Sequence, residues 1–148
     1  MTILTAEQND LQEILALQLL AFQSEARIHN NFNIPPLKQT IDGIIEEYKN
    51  WTFLKAVNSE NRIIGSVRVR DDNQTLYVNT LIVHPDFQGQ GIGTQLLKEV
   101  EERMPQLRYE IFTSDKSVLN IKLYERMGYR IFKTVAIEPS LNYVYLEK

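Results

Sequence analysis

The chain has 148 residues, 43% of them hydrophobic and 24% charged, with a formal net charge of −3. That length and balance describe a single globular domain over residues 1–148 with a buried core, and they exclude a disordered or fibrous chain. With no cysteine and only two histidines, His29 and His84, disulfides and a catalytic thiol are ruled out and no metal site is expected.

The acidic balance argues against a nucleic-acid partner and mildly suits a cationic substrate. No apolar run approaches the roughly 20 residues of a membrane helix, and the first residues lack a basic-then-apolar leader. A cytoplasmic protein with no membrane association is the expectation.

In chain order, Thr2 to Thr5 is short and β-prone. Asp10 and Glu13 have the spacing of a capping box, which predicts a helix from near Leu11 with an apolar face of Leu11, Ile14, Leu15, Leu19 and Phe22, fraying between Ser24 and His29. Arg27 to Pro36, with two prolines and three asparagines, reads as a loop. Leu37, Ile41, Ile44, Ile45 and Tyr48 then trace a second amphipathic helix. Trp51 to Val57 and Ile63 to Arg70 are strand-like, and the second run alternates Ile64, Ser66, Arg68 and Arg70 against Ile63, Gly65, Val67 and Val69, which predicts one apolar face and one mostly wet. A turn at Asp71 to Asn73 leads into a third strand, Thr75 to Val83, and the three form an antiparallel meander.

That strand stops at His84, because Pro85 biases the preceding residue away from helix and cannot donate to a ladder. Glycines follow at 89, 91 and 93. Ile92, Leu96, Leu97, Val100 and Met104 then mark one face of a helix that ends at or before Pro105. The first backbone N–H groups of a helix lack internal partners and carry partial positive charge. No Asp or Glu occurs from Phe87 to Lys98, so nothing in the local sequence compensates that charge. The spacing is not that of a dinucleotide fingerprint, since Thr94 stands where its last glycine belongs, nor of a Walker A loop, which needs Gly-Lys-Ser/Thr.

Downstream, Leu107 to Thr113 is a strand and Ser117 a plausible N-cap for a helix over Val118 to Met127 that Gly128 stops. Asn120 and Tyr124, four apart, share a face, and Leu119, Leu123 and Met127 form the apolar stripe beside them. Tyr129 to Ile137 and Leu141 to Glu147 close the chain as a hairpin.

Two stretches carry a resemblance. Gln88-x-x-Gly91-x-Gly93 after a strand ending Val83-His84-Pro85 resembles the coenzyme A pyrophosphate loop of the GNAT superfamily of N-acetyltransferases, and Asn120-x-x-x-Tyr124-x-x-x-Gly128-Tyr129 resembles its second motif. The resemblance implies an α/β (α+β) fold: a mixed, mostly antiparallel sheet of about seven strands flanked by about four helices, in the order β-α-α-β-β-β-α-β-α-β-β. It implies acetyl-CoA as cofactor, with pantetheine on backbone groups of Leu81, Ile82 and Val83 between two splayed parallel strands. The pyrophosphate would lie on the loop Gln88, Gly89, Gln90, Gly91, Ile92, Gly93 and Thr94, with Asn120 and Tyr124 also touching the cofactor.

The implied activity is acetyl transfer to a primary amine of a small molecule or peptide by direct attack, with Tyr124 as proton donor to the leaving sulfur. The positions where several members carry a basic Glu or His hold Tyr77 and Asn79, so water relayed by them is the expected proton acceptor. Glu25 and His29 are the substrate-contact candidates, and homodimer formation is left open. An acyl-CoA-binding or regulatory module without turnover stands as the alternative, and a plain nucleotide-phosphate binder as a third reading.

Overall fold

Runs of β-branched and aromatic residues at Thr2–Thr5 (β1), Thr52–Val57 (β2), Ile63–Asp71 (β3), Thr75–Val83 (β4), Arg108–Ser114 (β5), Arg130–Glu138 (β6) and Leu141–Glu147 (β7) join one sheet. Its order is β1-β2-β3-β4-β5-β7-β6. The computed structural model describes residues 1–148, except for the side chains of residues 28 and 29. Four helices complete it: α1 (Leu11–His29), α2 (Ile41–Tyr48), α3 (Ile92–Arg103) and α4 (Val118–Arg126). The element order and the meander β2-β3-β4 match the expectation from sequence.

Helices pack on both faces of the sheet. Leu11, Ile14, Leu17 and Ile44 of α1 and α2 cover Phe53, Val57, Ile63 and Ile82 on one side. Ile92, Leu96, Leu97 and Val100 of α3, with Tyr124 of α4, cover Leu54, Val69, Leu76, Val78 and Ile111 on the other. No helix among the described residues is long and apolar enough to cross a membrane.

Both-sided covering corrects the reading of β3. Its polar face is not wet: Ser66 and Arg68 are buried, Arg68 at 2% exposure. Ser66 donates to the Leu54 carbonyl at 2.9 Å. Arg68 Nη1 reaches both Glu47 oxygens at 3.0 Å, its Nη2 donates to Gln18 Oε1, and its guanidinium lies 4.6 Å over the Phe53 ring. Those partners satisfy most of the charge that burial would otherwise penalise.

The same network turns α1. Leu17 and Gln18 are buried where the expected stripe had Leu15 and Leu19, because Gln18 is drawn in by Arg68 and by the Pro36 carbonyl at 3.0 Å. The capping box also sits one turn earlier: Glu7 and Asp10 cap a short 3-10 turn reciprocally, while Glu13 accepts from the Ile63 amide at 2.9 Å. α1 runs to His29 before Asn30 ends it in a left-handed conformation, so the loop is shorter than read. α2 starts only at Ile41, where Thr40 accepts from the Gly43 amide at 3.1 Å.

The feature that positions a site is a fork. β4 and β5 pair in parallel from Thr75↔Arg108 to Val78↔Ile111 and then part. β4 stays with β3 up to Gly65↔Val83, and β5 stays with β7 up to Ser114↔Tyr143. At the parting, the β3–β4 register shifts and Thr80 adopts φ 49°. A β-bulge with a left-handed threonine costs about 1–2 kcal/mol and re-aims the strand.

Candidate active site at the fork of the sheet

At the mouth of the fork, a 3-10 turn over Pro85–Phe87 leads from β4 into the glycine loop. His84 is buried and structural here: Nδ1 is 3.0 Å from the Asp86 amide and Nε2 is 2.8 Å from Arg62 Nη2. Gln88 is extended, and Gly89 and Gly91 take φ of 78° and 80°, a region open to glycine at little cost. Gly91 is the N-cap of α3, no side chain caps the helix, and its first turn holds no acid. Gly93 answers to packing instead, since a Cβ there would lie 3.3 Å from Leu123 Cδ2. Thr94 is half-buried in the first turn.

The expected cofactor positions Leu81, Ile82, Val83 and Ile92 turn their side chains into the two cores, so what they can offer is backbone. Gln88 and Gln90 are exposed, and Gln90 lines a cavity of about 300 Å³ with Phe87 and Ile92. Asn120 is half-buried, its Nδ2 3.5 Å from Thr113 Oγ1 on the β5 arm.

Tyr124 is 3% exposed, in the core under Val78 and Ile111. Burial first, and the Glu25 carboxylate second, push its phenol well above the ordinary range. Glu25 belongs to α1, in the opposite layer, and accepts a hydrogen bond from Ser117 Oγ at the start of α4. Ser117 thus occupies the N-cap position without capping. Leu119, expected in the apolar stripe, is 78% exposed; Ile121, Leu123 and Met127 pack with Tyr124 instead.

On the α1/α2 face, Tyr77 and Asn79 line a cavity of about 160 Å³ at the crotch of the fork, with Trp51, Arg70, Glu110, Phe112 and Tyr145 among its walls. Tyr77 Oη donates to Asp72 Oδ2 at 3.2 Å, and this bond holds the phenol above its usual value. Glu110 is bound to Arg108 at 2.9 Å. The side chain of His29 lies outside the described residues. Among the described residues no group of three or more His, Cys, Asp or Glu could hold a metal.

Sequence reasoning missed the Thr80 bulge and the cavity walls from β5 and β7. The walls come from strands distant in sequence that only the parallel β4–β5 register brings together. An alternation of Glu110 and Phe112 on β5, in register with Tyr77, was the available signal.

A mixed sheet forked between two parallel strands, with a glycine turn and a bare helix start at its mouth, defines a class of α/β proteins that bind at a sheet opening. The chain belongs to the acetyltransferase (GNAT) family, whose model matches residues 12–129. It is similar to the UPF0157 protein YqkA of Bacillus subtilis (strain 168), 26% identical over 131 residues, which are 88% of this chain and 37% of that protein; the chain thus spans little more than a third of that relative's length. Among solved structures it is similar to a ribosomal-protein-alanine N-acetyltransferase from Brucella melitensis, with TM-score 0.76 and 18% identity over 100% of this chain and 99% of that one. It is also similar to a GNAT family acetyltransferase from Elizabethkingia anophelis with acetyl-CoA bound, with TM-score 0.70 and 22% identity over 99% and 95%.

Proposed function

We propose that residues 1–148 form one acetyl-CoA-dependent N-acetyltransferase unit, working in the cytoplasm, that moves an acetyl group to a primary amine of a small molecule or peptide. The observation that carries this reading is the start of α3: an N-cap glycine, no side-chain cap and no acid in the first turn, at the mouth of the fork. Such an end attracts an anion through its free amides and the helix dipole, and the positive φ of Gly89 and Gly91 turns the backbone there without a side chain in the way.

The amides from Gly89 to Thr94 would hold the diphosphate, the β4 arm beyond Val78 would offer backbone partners to the pantetheine, and Asn120 would face it from α4. The cofactor supplies an acyl thioester. Thr80 re-aims β4 where an amide can polarise the thioester carbonyl. Tyr124 holds its proton at Oη for the departing sulfur, and burial keeps that proton in place. A lysine-like amine of pKa about 10.4 must lose a proton before it attacks. Tyr77 has its hydroxyl committed to Asp72, so water held at Asn79 is the acceptor we favour, with direct attack on the thioester from the α1/α2 side. Glu25, on the opposite layer, steadies the Tyr124 proton.

Incubation of the protein with acetyl-CoA and a panel of primary amines tests the reading. We expect acetyl-CoA consumption with at least one amine. Tyr124→Phe should lower kcat by about 10² or more while leaving coenzyme A affinity unchanged. Affinity for coenzyme A with no turnover on any amine would leave the acyl-CoA-binding module as the answer.

A further inference from the structure

The walls of the 160 Å³ cavity are ordered by strand register. Arg70 is the cross-strand partner of Tyr77, and Tyr77 of Glu110, so the three form one row across the sheet. Asn79 lies in the next row towards the opening, and Phe112 and Tyr145 are paired across β5 and β7. Cations and anions do not balance evenly along the first row. Glu110 is taken up by Arg108, which also binds Glu147 at 2.8 Å. Asp72 accepts from the Gln74 and Thr75 amides at Oδ1 and from the Tyr77 hydroxyl at Oδ2. Asp71, the next residue of β3, is directed to the other face by strand alternation. Arg70 is left stacked on Trp51, its guanidinium 4.9 Å from the ring centroid, and no carboxylate pairs with it among the described residues.

Resting on the acetyl-transfer reading, the geometry points to an acceptor of amino-acid size: an amine that carries a carboxylate, with the carboxylate on Arg70 and the amine at Asn79. A guanidinium held over an indole has lost part of its rotamer freedom, and its N–H fork matches a planar carboxylate in two parallel bonds. Arg70 and Asn79 lie two residues apart in the paired rows, roughly 7 Å along the strand, a gap that the length of an arginine side chain spans to meet a carboxylate two or three bonds from the amine. The cavity volume, about 160 Å³, is close to that of an engineered cavity of about 150 Å³ that takes a benzene ring. A group of about six heavy atoms fits it, and Tyr77, Phe112 and Tyr145 would cover its apolar part.

The test pairs free amino acids with their carboxamides and with the corresponding decarboxylated amines, on the wild-type protein and on Arg70→Ala and Arg70→Lys. Free acids are expected to exceed carboxamides and bare amines at least tenfold in kcat/KM. Arg70→Ala should raise KM for the acids at least tenfold and bring acids and carboxamides to the same value. Arg70→Lys should restore part of the preference, since the charge returns without the fork. Coenzyme A affinity and the melting temperature should hold in both variants, Arg70 being exposed.

Carboxamides or diamines turned over as well as the acids, or a preference that survives Arg70→Ala, would overturn the inference. In those cases acetyl transfer itself stands. A protein without affinity for coenzyme A would overturn both, and the two failures are told apart by that titration.

Discussion

Tyr124 joins two properties that seldom meet in one side chain: it is a core residue at 3% exposure, and it carries the proton that the proposed reaction needs. Burial and Glu25 both favour the neutral phenol. The sign for activity follows directly, because the group stays protonated beyond the ordinary phenol value of about 10. The log of kcat/KM should therefore rise with pH towards the pKa of the acceptor amine, with no descending limb from Tyr124 below about pH 10. A fall centred between pH 7 and 9 in a pH–rate profile would contradict that placement. Glu25→Gln removes the charge that helps retain the proton and should move any alkaline limb to lower pH. Tyr124 was legible in the sequence only through its spacing from Asn120 and Gly128. Glu25 was legible as a carboxylate near the end of a helix, whereas its bond to Ser117 depends on α1 and α4 meeting across the opening of the sheet.

At the scale of elements, β3 is the strand that periodicity describes least well. Alternation set Ser66 and Arg68 apart from Val67 and Val69 correctly, but the register shift between Ser66 and Arg68 breaks the period, so Ile64 lies in the α3-side core with Val67 and Val69 while Ile63 lies under α1 and α2. Which face meets water then depends on what covers it, and α1 and α2 cover the polar one. Arg68 with Glu47, Gln18 and Gln39 ties β3, α1 and α2 together. Removing one partner of such a buried pair leaves an uncompensated charge, so Glu47→Ala should cost about 3 kcal/mol in urea unfolding. Arg68→Met, which removes the charge itself, should cost less. Equal costs for the two would contradict a net electrostatic penalty at Arg68. The bounds of β4 and the apolar face that opens α3 at Ile92, in contrast, were legible, because Pro85, the glycines and the apolar spacing act locally, whereas the Thr80 bulge inside β4 was not. Leu119 went the other way. Its spacing fits a core stripe, yet α4 turns its Tyr124 face inward and leaves Leu119 in solvent.

For the whole molecule, the order of seven strands and four helices followed from the sequence, while the fork did not follow from any single strand. It opens where β4, bulged at Thr80, stays with β3 and β5 stays with β7 after only four residues are paired between β4 and β5. The proposed function rests on that opening and on the vacant charge at its mouth. One substitution separates anion binding from mere helix packing. Thr94→Asp places an acid in the first turn of α3, which stabilises the helix through its dipole by about 0.5 kcal/mol and opposes a diphosphate at the same amides. Titration calorimetry with coenzyme A, run beside thermal unfolding, reads both effects. The account predicts saturable binding by the wild-type chain and at least tenfold weaker binding by Thr94→Asp, with a melting temperature equal or higher. No measurable binding by the wild-type chain, or equal affinity in the variant, would contradict it.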